Sequence, residues 1–360
     1  MKQDAGALLE RWGEGGRLDW DCAAGLFTSP TADRLYRIGE AADSNRKLRY
    51  GLRATYINNL QINPSNVCVR SCSFCNFAAL PGQANGYSLR EQDILAMVAK
   101  TAPSEVHIVG GLNHDWDFAR SLSLIRELHR GFPEIHIKCF TAVEIHWFAC
   151  NERRPIEDIL VAFREAGMDA LPGGGAEMFS ERIRQRYFRQ KTGAAEWLAV
   201  HEAAHRLGIP SNASMLYGLG ETWEERLSHL FRLRELQDRT GGFVAFIPLA
   251  LQSGKGSEKQ LSPLENLMVI AMARLVLDNF PHIKAYWPML GIETAAMALS
   301  FGADDLDGTL GQERIAHAAG AKTPQQMTRE EMVKIIRLAG FEPAERDGAY
   351  RTRSELACAS

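Results

Sequence analysis

The sequence has no run of eighteen uninterrupted apolar residues, and its opening stretch "MKQDAGALLERWGEGG" contains no apolar core. Neither a membrane span nor a secretory signal is expected, and the chain reads as cytoplasmic. Charge of one sign is also missing in excess: 41 Lys and Arg stand against 44 Asp and Glu, a formal net charge of −3. Without a basic stripe there is no electrostatic footprint for nucleic acid. No Pro-, Gly- or Ser-rich linker and no low-complexity tract divides the 360 residues, so one domain is expected. Cysteines are few and odd in number. Seven in a chain of this character argue against a disulfide framework and for metal binding or reactivity. Cys22, Cys139, Cys150 and Cys358 stand singly and read as buried or incidental thiols.

What is present is a rhythm. Short apolar runs, "TYINNLQIN", "EVHIVGG", "IHIKCFTA", "MDALPGGG", "SNASMLYG", "GFVAFIPLA", "IKAYWPML" and "FGADDLDG", alternate with helical patterns such as "DWDFARSLSLIRELHRGF" and "TWEERLSHLFRLRELQDR". Eight strand-like runs with helices between them predict an α/β fold with a parallel sheet. Eight units are the number that closes a (β/α)8 barrel of the TIM type, with functional residues at the strands' C-terminal ends. An open doubly wound sheet is the rival, because it too places ligands at that edge. Residues 1–50 read as an N-terminal helical extension and 51–310 as the barrel. Residues 311–360 read as a C-terminal helical extension packed on it, built around "TPQQMTREEMVKIIRLAG".

Cys68, Cys72 and Cys75 lie within eight positions, in "INPSNVCVRSCSFCNFAAL", directly after the first strand. No fourth cysteine or histidine is near. A structural zinc site is closed by four ligands, and this group offers three. A redox pair from "CSFC" leaves Cys68 unexplained. An iron–sulfur cluster held by three thiolates leaves one iron open to a ligand. The spacing C-x3-C-x2-C, with aromatic Phe74 before the last cysteine, resembles the signature of the radical S-adenosylmethionine (SAM) enzymes. That resemblance implies a [4Fe–4S] cluster whose open iron takes the amino and carboxylate groups of SAM. Reductive cleavage then gives methionine and a 5′-deoxyadenosyl radical.

The resemblance extends further. "VHIVGGLN", "HIKCFTAVEI", "LPGGGAEMFSERIR", "SNASMLYG", "GGFVAFIPLA" and "NFPHIKAYWPMLG" are similar, in that order, to the aminofutalosine synthase family of the futalosine route to menaquinone. They span roughly residues 50 to 310. The related cyclic dehypoxanthine futalosine synthases and deazaflavin (FO) synthase subunits share the cluster loop and a "GGGAE"-like segment. They carry an "IQ-x-SW"-like sequence in place of "HIKAYW". Two departures stand out: Leu219 follows Tyr217-Gly218 where the family has histidine, and "LQSGKGSEKQLS" replaces a Pro/Asn-containing loop.

The family implies that the adenosyl radical adds to the enolpyruvyl ether of 3-hydroxybenzoate, with rearrangement and loss of a carboxylate. SAM is then a consumed co-substrate, and a reduced flavodoxin or ferredoxin supplies the electron. A hydrogen-abstracting relative is the alternative chemistry, and an iron–sulfur electron carrier is the non-enzymatic one.

Candidate residues follow from both readings. Phe74 and Phe77 of the cluster loop, Gly110 and Gly111 after the second strand, and Glu177 in "GGGAE" are assigned to the cofactors, with Arg184 and Lys191 downstream as cations for the carboxylate of SAM. The competing accounts are a plain glycine turn, a carboxylate complementing a helix dipole and solvated surface charges. His107, Lys138 and Lys284 are polar groups inside strand patterns, where an unpaired charge is costly. They are expected to meet the carboxylates of the substrate or to sit in satisfied ion pairs. Asp305, with Asp304 and Asp307, is expected to accept ribose hydroxyls or move a proton, or else to belong to a capped loop.

Overall fold

The computed structural model describes residues 17–27, 31–252, 261–311 and 313–352. Cys358 and most of the "LQSGKGSEKQLS" loop lie outside them.

Nine strands are assigned among the described residues: β1 (Arg53–Ile57), β2 (Asn59–Ile62), β3 (Glu105–Ile108), β4 (His136–Cys139), β5 (Ser211–Tyr217), β6 (Phe243–Ala250), β7 (His282–Ile283), β8 (Asp305–Gly308) and β9 (Glu342–Arg346). Every strand pair is parallel. The first expected strand is one extended segment interrupted at Asn58, so β1 and β2 are its two halves. The fourth, "MDALPGGG", does not form a regular strand. Only Ala170 and Leu171 pair, with Lys138 on one side and Ser211 on the other. Pro172 has no N–H for a ladder and three glycines follow, which explains the short run.

Pairing therefore passes from β2 through β3, β4, the Ala170–Leu171 bridge, β5 and β6 to β7. It continues by Lys284–Asp305 to β8 and back to β1. The ring of eight is closed, as the count of units predicts.

Helices cover the ring. The expected helices are present at Phe118–Gly131, capped by Asp117, and at Trp223–Thr240, where Thr222 and Glu225 form a capping box. Helices Trp20–Phe27 and Ala32–Tyr50 make up the described part of the N-terminal extension. The C-terminal extension differs from expectation. Among the described residues it holds the short helix Ile315–Ala318 and the helix Arg329–Leu338, started by a Thr328–Glu331 capping box, and the chain then runs into β9. β9 pairs with β1 on the side where β3 pairs with β2, so it continues the wall below β3. Two contacts fasten it there: the Arg346 guanidinium on the Asp305 carboxylate, and Tyr350 stacked on His282 at 4.0 Å. Helix propensity lost to a free strand edge whose N–H and C=O groups needed partners.

Candidate active site

The C-terminal ends of the strands surround one chamber of about 300 Å³. Cys68, Cys72 and Cys75 lie on its wall, all as free thiols. The loop that carries them is fixed at several points. Cys68 N–H donates to Ala79 O (2.9 Å), Val69 N–H to Leu112 O (2.9 Å) and Ser73 N–H to Tyr187 O (2.9 Å). Burial raises the Cys72 thiol to about 11 and pushes Cys75 up as well, against the opposing charge of Lys191. Cys72 also feels both neighbouring thiols, so the three form one electrostatic group.

Among the described residues no three His, Cys, Asp or Glu side chains converge on a single ion. Three soft donors spread over one wall instead suit a polynuclear cluster, which takes a thiolate at each of several corners.

Gly111 is required here by packing. A Cβ on it would lie 2.2 Å from Val67 O and 3.0 Å from Cys68 Cβ, so the second strand's end can touch the cluster loop only as bare backbone. Gly110 beside it lines the chamber and donates its N–H to Glu144 Oε1 (3.1 Å). Phe74 makes an edge contact with Phe188 at 5.9 Å, and Phe77 makes one with Tyr87 at 6.4 Å. Both border the chamber.

Glu177 has φ of +47°, a left-handed conformation uncommon for a residue other than glycine. Its carboxylate accepts from the Lys191 ammonium in a very short ion pair on the chamber wall. Burial pulls the Lys191 pKa down, but Glu177 and the Cys72 thiol outweigh it and hold the ammonium above its usual value. His107 also faces the chamber. Burial first, then Lys138, lowers its pKa to about 3, so it is a neutral hydrogen-bonding group.

The remaining expected residues are not at the wall. Lys138 is level with His107 but turns one layer down the barrel, donating to Glu105 Oε1 at 2.6 Å. Lys284 donates to Asp307 Oδ1 at 3.1 Å. Asp305 is fully buried between Arg346 and Thr55. Although burial raises its pKa, Arg346 and Lys284 hold it well below the usual carboxylate range. Lys138, Lys284 and Asp305 thus sit in ion pairs inside the lumen, the arrangement named as the alternative for the two lysines, and Asp305 is buried and not part of an exposed loop. Of the aspartates, Asp307 borders the chamber, and Lys284 fixes it there. Asp304 instead pairs with Arg274 and His282. Arg184 belongs to an adjoining outer groove and is paired with Glu181 at 2.7 Å.

The comparisons with known proteins agree with this geometry. Residues 62–233 match the model of the radical SAM superfamily, and residues 240–358 match that of the CofH/MqnC C-terminal region. The chain is 41% identical to aminodeoxyfutalosine synthase of Thermus thermophilus, covering 96% of this chain and 94% of that one. The chain belongs to the aminodeoxyfutalosine synthase family of radical SAM enzymes. Cyclic dehypoxanthine futalosine synthase of Streptomyces coelicolor is a further relative, 36% identical over 97% of this chain and 89% of its own. Methylornithine synthase shares the fold, with a TM-score of 0.74 over 94% of this chain and 97% of its own at 19% identity. The cofactors of the family are the [4Fe–4S] cluster and SAM. Among the described residues, no helix is long and apolar enough to cross a membrane.

For a member of this family, several chamber residues had escaped the sequence reading. Arg70 of the cluster loop borders both the chamber and the outer groove. Tyr286 lies inside the quoted "HIKAYW" and places its hydroxyl 3.5 Å from Gln61 Oε1. Glu144 is the third residue of a capping box, a pattern that signals a helix start and nothing more. Glu313 comes after the last barrel strand. Its carboxylate accepts from the Ala316 N–H and from His317 Nδ1, and its surrounding sequence carries no motif.

Proposed function

We propose that this protein is an aminodeoxyfutalosine synthase: it joins the adenosyl part of SAM to 3-[(1-carboxyvinyl)oxy]benzoate, with loss of one carboxylate, to give 6-amino-6-deoxyfutalosine for menaquinone biosynthesis in the cytoplasm. The observation that carries this reading is the chamber in which the three-cysteine loop meets a partly buried Glu–Lys pair, in a chain 41% identical to such an enzyme over nearly its full length. We take residues 51–310 as the catalytic unit, with the flanking segments packed on it.

Cys68, Cys72 and Cys75 would hold the cluster, which supplies the electron that cleaves SAM to methionine and a 5′-deoxyadenosyl radical. Glu177 and Lys191 present opposite charges side by side, matching the ammonium and carboxylate of the methionine end. Arg70 at the rim is the cation for a substrate carboxylate. Leu216, Ile247 and Leu249 supply apolar wall that excludes water and offers no acidic proton. Neutral His107 and the Gln61–Tyr286 contact supply hydrogen bonds to the substrate without adding charge. Lys284 holds Asp307 for the ribose hydroxyls. The electron donor is a reduced flavodoxin or ferredoxin.

The relation to cyclic dehypoxanthine futalosine synthases, together with Leu219 where the family has histidine, favours a second reading in which the radical abstracts hydrogen. One anaerobic assay separates the two. With carbon label in the adenosyl group of SAM, addition carries the label into the nucleoside product, one for one with methionine. Deuterated 5′-deoxyadenosine as the main product from deuterated substrate would overturn the synthase reading.

A further inference from the structure

The carboxylates of the chamber divide into matched and unmatched. Glu177 is paired with Lys191, Asp307 with Lys284 and Glu313 with His317. Glu144 borders the same chamber and has no such partner. Its Oε1 accepts from the Gly110 N–H (3.1 Å), and its Oε2 accepts from the Thr141 N–H (2.7 Å) and hydroxyl (2.8 Å). All three donors are neutral. Among the described residues no cationic side chain lies within ion-pair distance, although the residue is only 7% exposed. A buried carboxylate kept without a counter-ion is costly unless a ligand brings one.

SAM brings two cations and one anion. The Glu177–Lys191 pair accounts for the ammonium and carboxylate, and the three thiolates are taken by iron. The sulfonium remains. We propose that Glu144 is the counter-charge to the sulfonium of SAM, so that this one side chain makes the chamber prefer SAM over its neutral-sulfur analogue. The assignment rests on the reading of SAM as co-substrate. Glu144 reaches the chamber through the N3 position of the helix Ala142–Glu152, locked by the capping box, so its carboxylate is held in place before the ligand arrives.

Its protonation behaviour agrees with this role. Burial raises the Glu144 pKa to about 7, against the Thr141 and Gly110 hydrogen bonds and the more distant Lys191. The Cys139 thiol, itself raised by burial and by Glu144, is a further ionisable group in the electrostatic neighbourhood. A cation placed beside Glu144 favours its charged form, so binding of a sulfonium strengthens as pH rises through about 7.

The test is equilibrium binding of SAM and of S-adenosylhomocysteine to the anaerobically reconstituted holoenzyme, wild type and Glu144→Gln, between pH 6 and pH 8. In the wild type the ratio of SAM to S-adenosylhomocysteine affinity should rise with pH. In the variant it should fall about tenfold and become flat, while S-adenosylhomocysteine affinity stays within about threefold. Equal weakening of both ligands would mean that Glu144 only positions Gly110, and would overturn the assignment. Unchanged affinity for both would overturn it equally. Failure of the wild type to bind SAM at all would instead refute the functional reading on which it rests.

Discussion

Replacing Lys138 by methionine tests whether the barrel's lumen cations serve the fold or the substrate. The Lys138 ammonium and Glu105 carboxylate are 2.6 Å apart, with side chains 6% and 1% exposed. At an effective dielectric near 20, their Coulomb attraction is about 6 kcal/mol, partly offset by the cost of desolvating both. Removing one partner of such a pair costs about 3–5 kcal/mol, because the other is left charged and buried. Burial would raise the Glu105 pKa, but Lys138 first, then His136, Lys284 and Arg346, bring it down to about 2. Its folded pKa thus lies below the unfolded value, and the stability it contributes is present above the unfolded pKa and lost as pH falls through about 2.

In Lys138→Met the folded pKa of Glu105 rises, so the destabilisation should be largest at neutral pH and shrink as acid protonates Glu105. The added change Glu105→Gln should restore most of the loss at neutral pH. Urea unfolding midpoints at pH 5 and pH 7.5 for the two variants and the wild type measure this. A Lys138→Met protein of unchanged midpoint that no longer binds the enolpyruvyl benzoate would refute the reasoning and return Lys138 to the substrate.

Anaerobic reconstitution should load about four irons and four sulfides per chain, and alanine at Cys68, Cys72 or Cys75 should abolish this while Cys139→Ala and Cys150→Ala retain it. Iron retained by Cys68→Ala but lost in Cys139→Ala would reverse the ligand assignment. Gly111→Ala should lower iron incorporation severalfold, since its methyl group would overlap Val67 O; full iron content in a folded variant would show that the loop can yield.

Much of the site was legible because its chemistry is local in sequence. Three thiolates at short spacing announce themselves wherever the chain folds. Gly110 and Gly111 follow a strand that periodicity alone can locate, whereas Glu177 was reached through the resemblance of "GGGAE" to the family. The eight-unit rhythm was legible for the same reason, since alternation of strand and helix is written residue by residue. Glu144 was not, because a T-x-x-E pattern has one meaning as a helix cap and acquires a second only when Gly110 and the chamber are brought beside it.

The sequence by itself determined the parallel α/β architecture, the cluster loop and which strand-like runs carry charged residues. Only the tertiary structure decided which of those charges face one another. Lys138 and Lys284 look alike as cations in strands, yet one turns down to Glu105 and the other up to Asp307. The direction depends on the register of neighbouring strands, a long-range property. It also turned the C-terminal tail into strand β9, because an open edge beside β1 and a buried Asp305 needed the backbone and the guanidinium that residues 342–346 supply. Pairing between distant segments is settled by which polar groups would otherwise be buried without partners, and no single stretch of sequence carries that information.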